Sequence, residues 1–256
     1  MSFDKDEIEN LRKVYNKENP RQQPIPEGDV NVVWSALKER FHEQCRTGHA
    51  ECILASMLSK TKAPSSWAVN PEEWLSSDDI DHVENQYMKI FSNYHYVGSF
   101  PIDFDKRSKT GTCLVSSLCS MDIKALYDSG YKQIGIVFNT DVSTGPGQHW
   151  IALFCDINPE LEFPRITYFD SYAQVPEPQI QKLMKRWKKQ WDDTGIHSSP
   201  MQMTYNKTKH QYEDSECGMY CLYFHYCCLA QVPMEERVPD KVVRGIRGRL
   251  FRVSKK

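Results

Sequence analysis

The sequence contains no apolar stretch long enough to cross a membrane. The apolar runs at 134–138 and 150–155 are far shorter than the roughly 20 residues that a transmembrane helix needs. The first ten residues also lack the apolar run of a secretory signal peptide. We therefore expect no membrane contact and a location in the cytosol.

The chain also lacks internal repeats, low-complexity tracts and a marked excess of charge. Its net charge is −2 with 26% charged residues, so the whole chain gives no signal for binding nucleic acid or a membrane surface. Hydrophobic residues make up 40% and aromatic residues 12% of the sequence, which is ample for a packed core. A length of 256 residues fits one large domain, or a core with a smaller appendage.

Cysteine is plentiful, but paired Cys-x-x-Cys spacing is absent. The nine cysteines are an odd number, and without a secretory signal we expect reduced thiols. A zinc site built from Cys217, Cys221, His225 and Cys228 is the alternative. Those residues would all lie on one helix, whereas tetrahedral ligands normally converge from separate elements. We therefore expect no metal and no other cofactor.

The first 80 residues have a helical pattern. Helices are predicted over 1–20, 30–45, 51–58 and 80–91, with one more beginning at 71–74. Prolines interrupt the pattern around 21–29, and 61–70 has the composition of a loop. We assign 1–83 to a helical N-terminal arm domain and 84–256 to a core domain.

The core alternates strands with helices. Apolar runs predict strands over 131–138, 149–157, 165–170 and 201–206, with a Gly/Pro turn between the first two. Helices are predicted over 178–191 and 217–230. The pattern indicates a mixed α/β or α+β core.

Residues 211–223 carry the main functional signal. A polar, acidic loop runs into Cys217, and an apolar, aromatic helix follows at once. A cysteine in the first helical turn meets unpaired backbone N–H groups and the positive end of the helix dipole, which stabilise a thiolate. The alternative is a small apolar residue that opens a core helix.

Three polar residues stand where apolar elements begin or end. His149 begins a strand and can act as base for a thiol, while Asp170 ends the next strand and can orient that imidazole. Gln211, six residues before Cys217, can join its backbone N–H in stabilising an oxyanion. Taken singly, the three also fit a surface histidine, a turn residue and a loop residue.

Together these motifs resemble a known superfamily. His149-Trp150, the strand end Phe169-Asp170-Ser171 and Gln211-x5-Cys217-Gly218 are similar to ubiquitin-like-protein (SUMO) proteases and adenovirus protease. Residues 138–154, 210–218 and 250–252 resemble the branch of polyprotein-processing proteases from African swine fever virus and other large DNA viruses. The ten positions from Asn139 to His149 are longer than in cellular SUMO proteases and favour this branch.

The resemblance implies an α+β fold, with a central mixed β-sheet flanked by helices and the catalytic cysteine at a helix N-terminus. It also implies catalysis by Cys217, His149 and Asp170, with Gln211 as oxyanion donor. The expected substrate is a viral structural polyprotein cut after Gly-Gly, in the host cytoplasm and virion. Trp150 is then a candidate wall of the substrate groove or a core residue supporting the histidine.

Further assignments concern substrates and partners. Asn139 fits a family position near the substrate site. Two alternative functions remain: a SUMO or ubiquitin-like deconjugating enzyme, and a nucleic-acid-binding scaffold of the same fold. Basic residues on the helix predicted at 178–191 and in the segment 241–256 suggest weak nucleic-acid contact, although a solvated face explains them as well. They are Lys182, Lys185, Arg186, Lys188, Lys189, Lys241, Arg244, Arg247, Arg249, Arg252, Lys255 and Lys256.

Overall fold

A five-stranded mixed sheet forms the centre of the structure, a computed structural model that describes residues 3, 5–43, 45 and 50–252. Its strands, in spatial order, are β2 (Tyr94–Pro101), β3 (Gln133–Asn139), β4 (Trp150–Asp156), β5 (Arg165–Phe169) and β6 (Gln202–Tyr205). The inner strands β3, β4 and β5 run antiparallel, whereas β2 and β6 pair in parallel at the two edges. The expected α+β fold with a central mixed sheet is confirmed.

Helices cover both faces of this sheet. In chain order they are α1 (Lys5–Glu18), α2 (Val30–Arg40), α3 (Ala50–Met57), α4 (Ser77–Ile90), α5 (Ser116–Cys119), α6 (Ile123–Asp128), α7 (Pro178–Asp192), α8 (Cys217–Leu229) and α9 (Asp240–Leu250). A short 3-10 helix (Ser65–Ala68) and a parallel pair, β1 (Thr61–Lys62) with β7 (Phe251–Arg252), complete the described elements.

The sheet is apolar on both faces because each face is covered. Along β4, Ile151 and Leu153 face a cluster that includes the apolar stripe of α7. Ala152 and Phe154 face the other cluster, which contains α4, α8 and the helices that precede them. Burial on both sides explains why the inner strands appear in the sequence as continuous apolar runs.

Helix α4 connects the predicted arm to the core. The proposed boundary between 83 and 84 falls inside this helix, and residues on both sides of it belong to one hydrophobic cluster. The division into arm and core stays a prediction. Residues 71–76 are turn and coil, so the additional helix predicted to begin at 71–74 is wrong. Helix α4 corresponds to the helix predicted at 80–91 and begins three residues earlier, at Ser77. A capping box fixes the start, because the Ser76 hydroxyl accepts from the Asp79 N–H and the Asp79 carboxylate accepts from the Ser76 N–H.

Other predictions also need correction. Helix α2 ends at Arg40 rather than 45, and the loop at 61–70 contains β1 and the 3-10 helix. Strand β2 was not predicted. It is irregular: its register with β3 shifts between Tyr96 and Ser99, and Gly98 in this stretch has a φ of 137°. Helix α9 was interpreted only as a basic segment. Across the described residues, no helix is both long and apolar enough to span a membrane.

The expectation that all cysteines are reduced is wrong for four of them. Disulfides join Cys45 to Cys52 and Cys113 to Cys119, with Cα atoms 5.8 Å and 6.5 Å apart. The members of the two pairs are 7 and 6 residues apart in sequence. The remaining five cysteines, including Cys217, are free thiols.

A fully buried polar cluster fastens α8 to α4 and β2. His225 donates from Nδ1 to Glu84 Oε1 at 2.7 Å, and its Nε2 lies 3.3 Å from the Leu153 carbonyl oxygen. The Tyr94 hydroxyl donates to Glu84 Oε2 at 2.8 Å. Burial and the neighbouring Glu84 raise the pKa of Tyr94, which keeps this hydroxyl a donor. The cluster therefore fixes the middle of α8 against the sheet.

Replacing Glu84 tests how much this cluster contributes to stability. Glu84→Ala leaves His225 and Tyr94 buried without their acceptor, so we expect the free energy of unfolding to fall by about 3 kcal/mol. Urea unfolding measures the change, with the exposed Asn85→Ala on the same helix as the matched control. Equal unfolding midpoints for the two variants would contradict the prediction.

Candidate active site

Cys217 is the first residue of α8, as predicted, and is 2% exposed. Its neighbour Gly218 lies tightly against two other segments. A Cβ atom there would meet Leu75 Cβ at 3.1 Å and Trp150 Cδ1 at 3.3 Å. Only a residue without a side chain fits this position unless those groups shift.

His149 and Asp170 form a short hydrogen bond. Because β4 and β5 are antiparallel, the start of β4 lies beside the end of β5. His149 Nε2 donates to Asp170 Oδ1 at 2.7 Å. This bond fixes the tautomer, so Nδ1 is the nitrogen left to interact with Cys217. The sequence-predicted pair is thus brought together.

The histidine is held in its charged form. Burial of the ring opposes the charge, but hydrogen bonding to Asp170 and to Cys217 outweighs it and raises the pKa of His149 to about 9. The thiol and the carboxylate therefore act on the same imidazole. Since the folded value exceeds the usual 6.5, the charge stabilises the fold fully below about pH 6.5, and this contribution is lost as the pH rises through about 9.

Backbone donors and one asparagine hold Asp170 in place. Its carboxylate accepts from the N–H groups of Tyr172 and Gln174, at 2.9 and 3.1 Å. The Asn206 side chain bonds to both main-chain polar groups of Asp170. Its Oδ1 accepts from the Asp170 N–H, and its Nδ2 donates to the Asp170 carbonyl. Sequence analysis missed Asn206, because its role depends on the pairing of β5 with β6. The Tyr172 ring, also missed, lies over His149 with centroids 4.9 Å apart.

Gln211 is fully buried with its amide locked in one orientation. Its Oε1 accepts from the Ser171 hydroxyl at 2.6 Å, and its Nε2 donates to the Glu213 carbonyl at 2.6 Å. One N–H of the amide remains for a further acceptor. The role of oxyanion donor stays a prediction, and this remaining N–H is the group that would perform it.

Trp150 and Asn139 have distinct positions. The Trp150 indole donates to the Leu75 carbonyl at 2.9 Å, and its ring edge faces Gly218. Trp150 is therefore a buried residue that also lies beside the residue following Cys217. Asn139 Oδ1 accepts from the N–H groups of Asp141 and Gln148. Asn139 thereby shapes the loop that leads to His149, and its proposed substrate contact stays a prediction.

The candidate zinc ligand His225 has another partner. Its Nδ1 donates to Glu84, and within the described residues no three His, Cys, Asp or Glu side chains are grouped as metal ligands.

Most basic residues of α7 have partners within the protein. Lys182 pairs with Asp105, Lys188 with Asp192 and Lys189 with Asp193, and Arg186 donates to the carbonyls of Leu118 and Cys119. Nucleic-acid contact gains no support, and Lys255 and Lys256 lie outside the described residues.

Comparison with known sequences identifies related proteases. Residues 131–255 match the Ulp1 protease family, C-terminal catalytic domain. A putative thiol protease of Acanthamoeba polyphaga mimivirus is 25% identical over 269 residues, covering 94% of this chain and 84% of that protein. A cysteine protease of African swine fever virus is 33% identical over 124 residues, covering 47% of this chain and 44% of that protein.

Comparison with solved structures shows the same fold. The crystal structure of the African swine fever virus protease matches with a TM-score of 0.65 and 20% identity, covering 96% of this chain and 92% of that one. The C-terminal Ulp1 protease domain, solved with the yeast ortholog of SUMO, matches with a TM-score of 0.50 and 14% identity, covering 90% and 95%.

The charge on His149 can be measured directly. In a nitrogen-15 NMR titration we expect its imidazole to lose a proton near pH 9, and in Asp170→Asn at lower pH, because one of the two groups that raise its pKa is gone. His95, whose pKa burial lowers, is the internal reference and should titrate identically in both proteins. An unchanged His149 titration would contradict the assignment of Asp170 as its partner.

Proposed function

We propose that this chain is a cysteine-type endopeptidase that cuts viral structural polyproteins after Gly-Gly. The match of residues 131–255 to the Ulp1 protease catalytic domain and the likeness to viral thiol and cysteine proteases support the proposal. The observation that carries the glycine preference is the close packing beside Cys217. Leu75 and Trp150 pack against Gly218, the residue next to the thiol. We infer that the substrate backbone approaches the thiol through a narrow space there, which favours residues without side chains. This proposal puts the reaction at viral assembly sites in the host cytoplasm and in the virion.

The proposed reaction proceeds through a thioester. Cys217 attacks the scissile carbonyl as a thiolate, and the His149 imidazolium then gives its proton to the leaving amine as the C–N bond breaks. Neutral His149 next takes a proton from water as the water oxygen attacks the thioester carbonyl. The C–S bond then breaks, the acid product leaves, and Cys217 returns to the thiolate beside the His149 imidazolium. Asp170 orients the imidazole throughout. The Gln211 side-chain N–H and the Cys217 backbone N–H stabilise the oxyanion.

A deconjugating enzyme is the second candidate. The fold match to an Ulp1 domain solved with the yeast ortholog of SUMO favours it, because that protein binds a ubiquitin-like partner. The two candidates share the chemistry and differ in what surrounds the glycines. A non-enzymatic scaffold would have no use for the short His149–Asp170 hydrogen bond beside a free thiol.

A substrate panel separates the candidates. We expect cleavage of Gly-Gly-Xaa peptides and viral polyprotein fragments, and slow or no cleavage of SUMO and ubiquitin conjugates. Cys217→Ala and His149→Ala should each lower kcat/KM by about 10³-fold or more while circular dichroism stays unchanged. Cleavage of the conjugates alone would overturn the polyprotein assignment, and an active Cys217→Ala would overturn the nucleophile.

If Leu75 forms a wall of the proposed substrate groove, its replacement should change specificity. Leu75→Ala removes the side chain that packs on Gly218, so the preference for glycine over alanine beside the scissile bond should fall by about tenfold. The ratio of kcat/KM for Gly-Gly-Xaa and Gly-Ala-Xaa peptides measures this. Val69→Ala, on an exposed residue of the same arm segment, is the control. An unchanged ratio in folded Leu75→Ala would show that Leu75 does not line the groove.

A further inference from the structure

A buried carboxylate stands directly before the proposed nucleophile. Glu216 is the N-cap residue of α8, is fully buried and is the peptide neighbour of Cys217. Its negative charge at the helix start opposes a thiolate on the next residue, since like charges disfavour each other at short range. Something must offset this carboxylate for the thiolate to form.

Helix α9 supplies the offsetting charge. Arg247 is 5% exposed, and its Nε donates to Glu216 Oε2 at 3.3 Å. Arg244 Nε lies 3.6 Å from the other oxygen of the same carboxylate. The Arg247 guanidinium also lies over the Trp67 ring, 4.4 Å from its centroid, which holds it flat in one orientation.

The same guanidinium also holds the chain just before Leu75, the proposed wall of the groove. It donates to the carbonyls of Pro71 and Glu73, at 3.2 and 2.7 Å, in the segment that leads to Leu75. A further N–H reaches the Ser215 carbonyl at 3.5 Å, in the loop before α8. One side chain thus connects the C-terminal helix, the segment carrying Leu75 and the loop that carries Cys217.

Other charged and titratable groups lie near Cys217 or near its neighbours. His149, Tyr172 and Cys221 interact with Cys217 itself. Asp170 interacts with His149, Asp214 with Tyr172, and Arg244 and Arg247 with Glu216. Among these groups the two arginines are the cations with a fixed charge, and Arg247 is the more buried of the two.

We propose that Arg247 is a positioning residue of this peptidase, which neutralises Glu216 and fixes the loop so that Cys217 can react as a thiolate. The inference rests on the proposed role of Cys217 as nucleophile. It gives the basic C-terminal helix a function inside the protein.

Alkylation of Cys217 by iodoacetamide, resolved by mass spectrometry across pH, tests the proposal without any peptide substrate. We expect Arg247→Met to move the half-maximal pH of alkylation upward by about one unit. Glu216→Gln should move it downward, and the double variant should lie near the wild type. Arg247→Lys keeps the charge and should lie closer to the wild type than Arg247→Met.

Controls separate this effect from loss of fold. Arg249→Met, on an exposed residue of the same helix, should leave the profile unchanged. Burial raises the pKa of Cys155, Cys221 and Cys228, and that of Cys227 to about 12, so these free thiols report on opening of the structure. Peptide cleavage by Arg247→Met should lose about tenfold in kcat with little change in KM.

Two results would overturn the proposal. One is a lower melting temperature for Arg247→Met with an unchanged alkylation profile, which indicates a structural role alone. If Arg247→Met does not fold, Glu216→Gln decides, because an unmoved profile there removes the electrostatic argument. A wild type that cleaves no peptide, yet shows the expected alkylation shifts, would overturn the proposed function, whereas the offset of Glu216 by Arg247 beside a reactive Cys217 would still hold.

Discussion

Burial of α8 along nearly its whole length is the constraint on which the rest of the structure depends. The helix packs on β4, α4 and α9, and its apolar side chains point in all directions. A helix of this kind is held from every side, so the first residue has a fixed position. Cys217 occupies that position, and the thiol meets His149 because β4 starts beside it.

Two polar contacts fix the position of α8 along its own axis, which apolar packing alone would not define. Glu84 holds His225 in the middle of α8, and Arg247 holds Glu216 at its start. Both contacts reach residues of the N-terminal half or the C-terminal helix, which wrap the catalytic segment from outside. Buried ionic groups contribute little net stability when fully paired, and their value is to define one arrangement among several of similar packing energy.

Local signals predicted the strand ends and the helix start, because chemistry and secondary structure change there within a few residues. His149, Asp170 and Cys217 were selected as candidates in this way, and the structure brings the three side chains together. Asn206 and Leu75 were not selected, since their contacts with Asp170 and Trp150 exist only after strands pair and distant loops meet. The additional helix predicted to begin at 71–74 does not form, and these residues are turn and coil. The helix predicted at 80–91 does form, and the Ser76 capping box sets its start at Ser77.

The fixed orientation of the Gln211 amide limits which N–H groups can act as donors in the proposed oxyanion site. Ser171 fixes the amide oxygen, and the Glu213 carbonyl takes one of the two N–H groups. A single side-chain N–H is then left, so the second donor has to come from the backbone of Cys217 at the helix start. Both donors are set before substrate arrives, which is the condition under which oxyanion stabilisation needs little reorganisation. In the proposed mechanism, residues 211–217 therefore supply both the nucleophile and its electrostatic partner from one segment, and the Glu216–Arg247 contact holds that segment to α9.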